Sequence, residues 1–180
     1  MTEKTAPERS PFRVTLLATG GTIEKSYDAH SGQLTLAVPV MERLLEGLDL
    51  PDFIVRVERL MAKDSLDMTD ADRDEIVDAT TAVLAAGNTD AVLITHGTDT
   101  LADTAVALTT ALPSPDVPVI LTGAMRPYRV ADSDAAQNVA QALMAARLLE
   151  PGVHAVLHGR AVPGDRVAKD YERLTIAPQR

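Results

Sequence analysis

Four short, largely apolar runs punctuate the chain, at 14–18, Ala91–Thr95, 117–121 and 153–157. Each is too short to be a helix that buries itself, and a continuous aliphatic run of this length fits a strand covered on both faces. Between them lie stretches with helical spacing. Residues 40–48 follow Pro39 and put Met41, Leu44, Leu45 and Leu48 on one side. Ile76, Val77, Thr80, Val83 and Leu84 form a face behind the capping residue Thr69, and Gly87 stops that helix. Leu101, Ala105, Leu108 and Leu112 form another face. Residues 132–149 place Ala136, Val139, Ala140, Leu143, Met144 and Leu148 together, closed by Pro151-Gly152. Residues 53–60 alternate as a half-exposed strand, and 153–157 is the last clear strand. Strands alternating with helices predict βαβ units and a largely parallel sheet.

A sheet of that kind gathers its ligands where the strands end. Two of the strand ends carry matched threonine loops: Thr19-Gly20-Gly21-Thr22 after 14–18, and His96-Gly97-Thr98-Asp99-Thr100 after Ala91–Thr95. Glycines permit tight turns and leave backbone N–H groups free to face a developing oxyanion. A threonine hydroxyl needs a neighbouring base before it can attack. The alternative for either loop alone is that its threonines only cap turns. Phosphate binding is disfavoured, because neither loop has the G-x-G-x-x-G or G-x-x-x-x-G-K-[ST] pattern.

Composition narrows the remaining classes. The 180 residues contain no cysteine, so disulfides and thiolate chemistry are excluded. Only 3% are aromatic, so the core must be aliphatic. A net charge of −9 argues against a nucleic-acid partner or an anionic membrane. The polar start of the chain, with Pro7 and Pro11, has no signal-peptide core, and the expectation is a cytoplasmic protein. Residues 1–12 are expected to be a flexible tail and 13–180 one α/β domain. The four histidines suggest no metal site, since His154 and His158 are expected to share one face of a strand.

Several segments together resemble the L-asparaginase/glutaminase family of amidohydrolases. They are the two threonine loops, then Leu121-Thr122-Gly123-Ala124-Met125-Arg126-Pro127 with Asp134 and Asn138, and finally Gly164-Asp165-Arg166-Val167-Ala168-Lys169. The matches run in the family's order from Val14 to Lys169. The resemblance implies a three-layer α/β/α fold of the Rossmann or flavodoxin-like kind, the family's N-terminal domain type. It implies that Thr22 attacks the side-chain amide of L-asparagine, with L-glutamine the alternative substrate, to give an acyl-enzyme and ammonia without a cofactor. Thr98, Lys169 and Asp99 would form a second group that activates a hydroxyl or water, for which Lys169 must be able to give up its ammonium proton. Ser65 would bind the substrate α-carboxylate, Asp99 its α-amino group, and the backbone around Ala124 its side-chain amide. Tyr27 matches the loop tyrosine that assists the first nucleophile, with Gln33 the competing alignment. Leu66 departs from members that place a polar side chain after the substrate-binding serine. Typical members carry a C-terminal domain, and the expectation here is a short, single-domain member closed by assembly as a homodimer or homotetramer. The competing function is an amino-acid-binding sensor or scaffold on the same fold.

Overall fold

The computed structural model describes residues 10–36 and 39–179. Residues 1–9 of the expected tail lie outside the described residues, and Phe12 already opens the first strand. In chain order the principal elements are β1 (Phe12–Gly20), a short hairpin of β2 (Ser26–Asp28) and β3 (Gln33–Thr35), α1 (Met41–Glu46) and β4 (Phe53–Lys63). Then come α2 (Asp70–Ala86), β5 (Ala91–Thr95), α3 (Leu101–Ala111), β6 (Pro118–Thr122), α4 (Ala135–Leu148) and β7 (Gly152–Leu157). The chain continues through β8 (Arg160–Pro163), β9 (Val167–Asp170) and β10 (Thr175–Pro178).

The main sheet has six strands in the order β4-β1-β5-β6-β7-β8, parallel except for the antiparallel edge strand β8. The path steps from β1 outward to β4, then returns past β1 to β5 and proceeds the other way. That reversal puts a topological switch point between β1 and β5, where open α/β sheets form their crevice. The buried strands sort by parity. Leu16, Leu93, Ile120 and Val156 face α1 and α4, packing on Met41, Leu44, Val139 and Leu143. Leu17, Ile94, Leu121 and Ala155 face α2 and α3, packing on Ile76, Leu101, Ala105 and Leu108. The result is a three-layer α/β/α architecture with an aliphatic core, each fully buried large side chain contributing about 1.5–3 kcal/mol.

Local sequence explains the element ends. Thr69 and Asp72 form a reciprocal capping box at the start of α2, and Gly87 ends it in the left-handed conformation. Lys63 and the Thr69 amide and hydroxyl hold the Asp72 carboxyl down to about 2.

Three features differ from the sequence-based expectation. The helix expected over 132–149 begins at Ala135, and its Met144 and Leu148 are exposed rather than buried. The reason is rotation: Ala135, Asn138, Val139, Ala142, Leu143 and Ala146 supply the buried stripe instead. Second, three strands follow the one expected to be last. Third, β7 ends at Leu157, so His158 lies in a two-residue turn with Gly159 rather than on a strand face beside His154.

Candidate active site at the switch point

The carboxyl ends of β4, β1, β5 and β6 are brought together by close backbone approaches that only glycine allows. Gly21, at φ +79°, lies so near the second loop that a Cβ there would meet the Gly97 nitrogen at 2.4 Å. A Cβ on Gly97 would in turn meet the Ser65 hydroxyl at 2.4 Å. The residues that follow this touching pair of glycines are Thr22 and Thr98. The same chain of contacts draws in Ser65, from the turn after β4.

Hydrogen bonds brace the loops. Gly21 N–H donates to the Lys63 carbonyl at 2.8 Å, Thr19 Oγ1 donates to the Thr95 carbonyl at 2.7 Å, and Thr100 Oγ1 donates to the Ser65 carbonyl at 2.8 Å. Lys25 pairs with Asp64, tying the turn after Thr22 to the turn that carries Ser65. Lys25 holds the Asp64 carboxyl below the usual carboxylate range, burial opposing it, with the Leu66 amide and the more distant Lys169 assisting.

Lys169 arrives from β9, which pairs with β10 outside the main sheet. Its Nζ donates to Thr98 Oγ1 at 2.9 Å and to Asp99 Oδ1 at 2.7 Å, and its side chain is only 12% exposed. The Thr98 hydroxyl points its own proton toward Met125 Sδ at 3.5 Å, a weak acceptor. The Tyr171 ring centroid stands 5.2 Å from the Lys169 nitrogen. Thr22, partly exposed at the start of a short 3-10 turn, has a hydroxyl with no hydrogen bond to any other described residue. Ser65 is buried, and its Oγ has no hydrogen-bond partner among the described residues.

Ala124 is fully buried on the turn after β6. That turn is clamped from behind: Asp134 accepts from the amides of Met125 and Arg126, both at 3.0 Å, and Asn138 Nδ2 donates to the Gly123 carbonyl at 3.0 Å. Burial works to raise the Asp134 carboxyl, but these amides and His158 outweigh it and hold the group below its ordinary value.

Thr22, Thr98, Asp99, Lys169 and Ser65 therefore gather around one sheet end, and Ala124 lies on the adjoining strand end. Tyr27 does not join them. It sits on β2, paired across the hairpin with Leu34, and is 69% exposed. Leu66 is likewise exposed. His96 is structural: fully buried, it donates from Nδ1 to the Gly97 carbonyl and accepts from Thr104 Oγ1 at Nε2. Burial pushes its pKa down to about 4. Glu24 is also buried, which raises its carboxyl. The Lys25–Asp64 pair and His158 are contributors that sequence reasoning missed. The adjacency of Lys25 to the first loop, and the His-Gly dipeptide after β7, were the available signals. Among the described residues no three His, Asp or Glu side chains form a metal-holding group, and no helix is long and apolar enough to cross a membrane.

Hydroxyl, lysine and carboxylate side chains thus lie together at the switch point of a doubly wound sheet, the place where such sheets form their crevice. The chain belongs to the asparaginase family: the family model "Asparaginase, N-terminal" matches residues 13–173. It is 44% identical over 80 residues to an L-asparaginase of Thermococcus kodakarensis, covering 44% of this chain and 24% of that protein. It is 36% identical over 178 residues to a glutamyl-tRNA(Gln) amidotransferase subunit of Aeropyrum pernix, covering 91% of this chain and 38% of that one. The solved structure of the thermostable Thermococcus kodakarensis L-asparaginase superposes with a TM-score of 0.78 at 30% identity, over 88% of this chain and 48% of that one. The chain thus spans under half the length of these relatives.

Proposed function

We propose that this chain hydrolyses the side-chain amide of L-asparagine through an ester on Thr22. The observation that carries the reading is the Lys169 nitrogen bridging Thr98 Oγ1 at 2.9 Å and Asp99 Oδ1 at 2.7 Å, next to the turn that presents the unengaged Thr22 hydroxyl. Thr22 oxygen attacks the amide carbon, and its proton passes by way of Thr98 and Lys169 to the departing nitrogen. The C–N bond breaks, ammonia leaves, and an aspartyl ester remains on Thr22. Water then attacks the ester, returning a proton to Thr22 and releasing L-aspartate. Atoms balance without a cofactor.

In this reading the buried Ser65 hydroxyl takes the substrate α-carboxylate, Asp99 takes the α-amino group, and the backbone at Ala124 takes the side-chain amide. Tyr27 assists from the rim of the site. The exposed Met144 and Leu148 on α4 support the expected homodimer or homotetramer, which a monomeric mass by light scattering would contradict. The acidic, cysteine-free chain suits the cytoplasm.

A second reading has its own support. In sequence, the amidotransferase subunit of Aeropyrum pernix aligns with 91% of this chain and the Thermococcus L-asparaginase with 44%, although the structure of the Thermococcus enzyme superposes over 88%. The same attack on an amide would then deliver its ammonia to an acceptor. Ammonia release from asparagine and from glutamine, measured beside Thr22→Ala and Lys169→Met, tests the proposal. Turnover of asparagine abolished by either substitution supports it. Binding of asparagine without turnover in the wild type would mark a sensor, and turnover of glutamine alone would make L-glutamine the substrate instead.

A further inference from the structure

The side chain that joins the two flanks of the site is His158, and neither the asparaginase resemblance nor the catalytic steps above use it. It occupies the first position of the two-residue turn between β7 and β8, at φ +50°, a left-handed conformation that Gly159 shares at +74°. A non-glycine residue held there is unfavourable unless its surroundings fix it. They do so on three sides. His158 Nε2 lies 2.8 Å from Asp134 Oδ2, its Nδ1 lies 3.0 Å from Thr175 Oγ1, and its backbone N–H donates to Asn138 Oδ1 at 3.2 Å.

Each partner leads to a different part of the site. Asp134 holds the amides of Met125 and Arg126, and Asn138 holds both the Gly123 carbonyl and Asp134 Oδ2. Thr175 opens β10, whose Ile176 is the register partner of Lys169 on β9. A carboxylate can only accept, so His158 Nε2 bears a proton toward Asp134 while Nδ1 meets the Thr175 hydroxyl.

We propose that His158 is a positioning residue for amide hydrolysis, locking the turn that carries Ala124 to the strand pair that carries Lys169. The inference rests on the proposed function for its kinetic consequence, but the coupling itself is a property of the folded chain. Lys169 comes from outside the main sheet, and His158 is a polar link from its strand pair to the β6 turn. Loss of the link frees the lysine to drift from Thr98, and displacement on the scale of an ångström costs about 100-fold in rate.

The two ring nitrogens can be tested separately. Glutamine at 158 reaches as Nε2 does and keeps the Asp134 arm; asparagine reaches only as Nδ1 does and keeps the Thr175 arm. The expected result is a fall in kcat of about tenfold to 100-fold for His158→Ala with KM little changed, and partial rescue by His158→Gln. Thr175→Val should lower kcat several-fold through the same link. Amide hydrogen exchange read by NMR supplies an activity-independent measure: His158→Ala should speed exchange at Met125, Arg126 and Lys169 together. A folded His158→Ala protein with wild-type kcat and unchanged exchange at those amides overturns the proposal. If His158→Ala fails to fold, Thr175→Val with wild-type kcat and unchanged exchange overturns it. A wild-type chain that turns over no amide sinks the proposed function alone, and the exchange data then still decide the coupling.

Discussion

The two threonine loops leave adjacent strands at the same end of the sheet, yet they are held very differently. Thr98 is buried, accepts from Lys169, and lies on a loop braced through Thr100 and Gly97 to the Ser65 turn. Thr22, partly exposed, opens a single 3-10 turn with its hydroxyl unengaged, and the chain beyond it runs into a small hairpin with exposed Tyr27 and Leu34. One loop is held still by its neighbours, and the other leaves its hydroxyl without a partner. That contrast fits the proposed division between a supporting and an attacking group.

Substitutions at the two loops should separate these roles. Thr22→Ala is expected to lower kcat by about 1,000-fold or more with melting temperature unchanged, because it removes a reacting atom and no hydrogen bond. Retention of full activity would transfer the attack to Thr98. Lys169→Met should cost about 100-fold to 1,000-fold in kcat, and it should also loosen the Thr98 loop. Gly97→Ala forces a Cβ into Ser65, so a loss of about 1–3 kcal/mol in stability should accompany weakened substrate binding, read as a raised KM. Unchanged melting and KM would show that the Ser65 turn simply yields.

His96 gives the supporting loop a pH signature. The folded state binds its proton only near pH 4, whereas the unfolded chain binds at the ordinary 6.5. The unfolded state therefore holds more protons between those values. Stability is full above pH 6.5 and falls as pH drops toward 4, by up to about 3 kcal/mol. Denaturant titrations of wild type and His96→Gln across that window would check it, since the variant should lose this part of the slope. Tyr27→Phe carries the smallest expected effect, less than about tenfold in kcat, since the ring is exposed on the hairpin and stands apart from the gathered residues. A larger loss would mean that the hairpin swings over Thr22 during turnover.

Much of this arrangement was legible in the residues. The buried parallel strands announced themselves as aliphatic runs, because a strand covered on both faces has no polar alternation. The capping residue Thr69 and the stop at Gly87 marked α2 for the same local reasons the structure displays. The late strands β8, β9 and β10 were not legible, for each has only four residues and the turn before β8 uses His-Gly rather than Asn-Gly. The face of α4 was misjudged because an alanine-rich helix offers several apolar stripes, and Asn138 on the buried one looks polar in isolation. Lys169 could be placed only through the family resemblance, since its strand pair lies outside the main sheet. The roles of Lys25 and His158 depend on partners 39 and 24 residues away, Asp64 and Asp134, and no local pattern encodes such pairings.

A covalent intermediate at the open loop is the most direct test of this division. Asparagine mixed with the protein, quenched in acid during turnover and digested for peptide mass spectrometry, should yield an aspartyl ester on the peptide containing Thr22. Lys169→Met should alter how much of it accumulates, and Thr22→Ala should abolish it. An ester found on Thr98 instead, or steady ammonia release by Thr22→Ala, would contradict the assignment of the attacking and supporting loops.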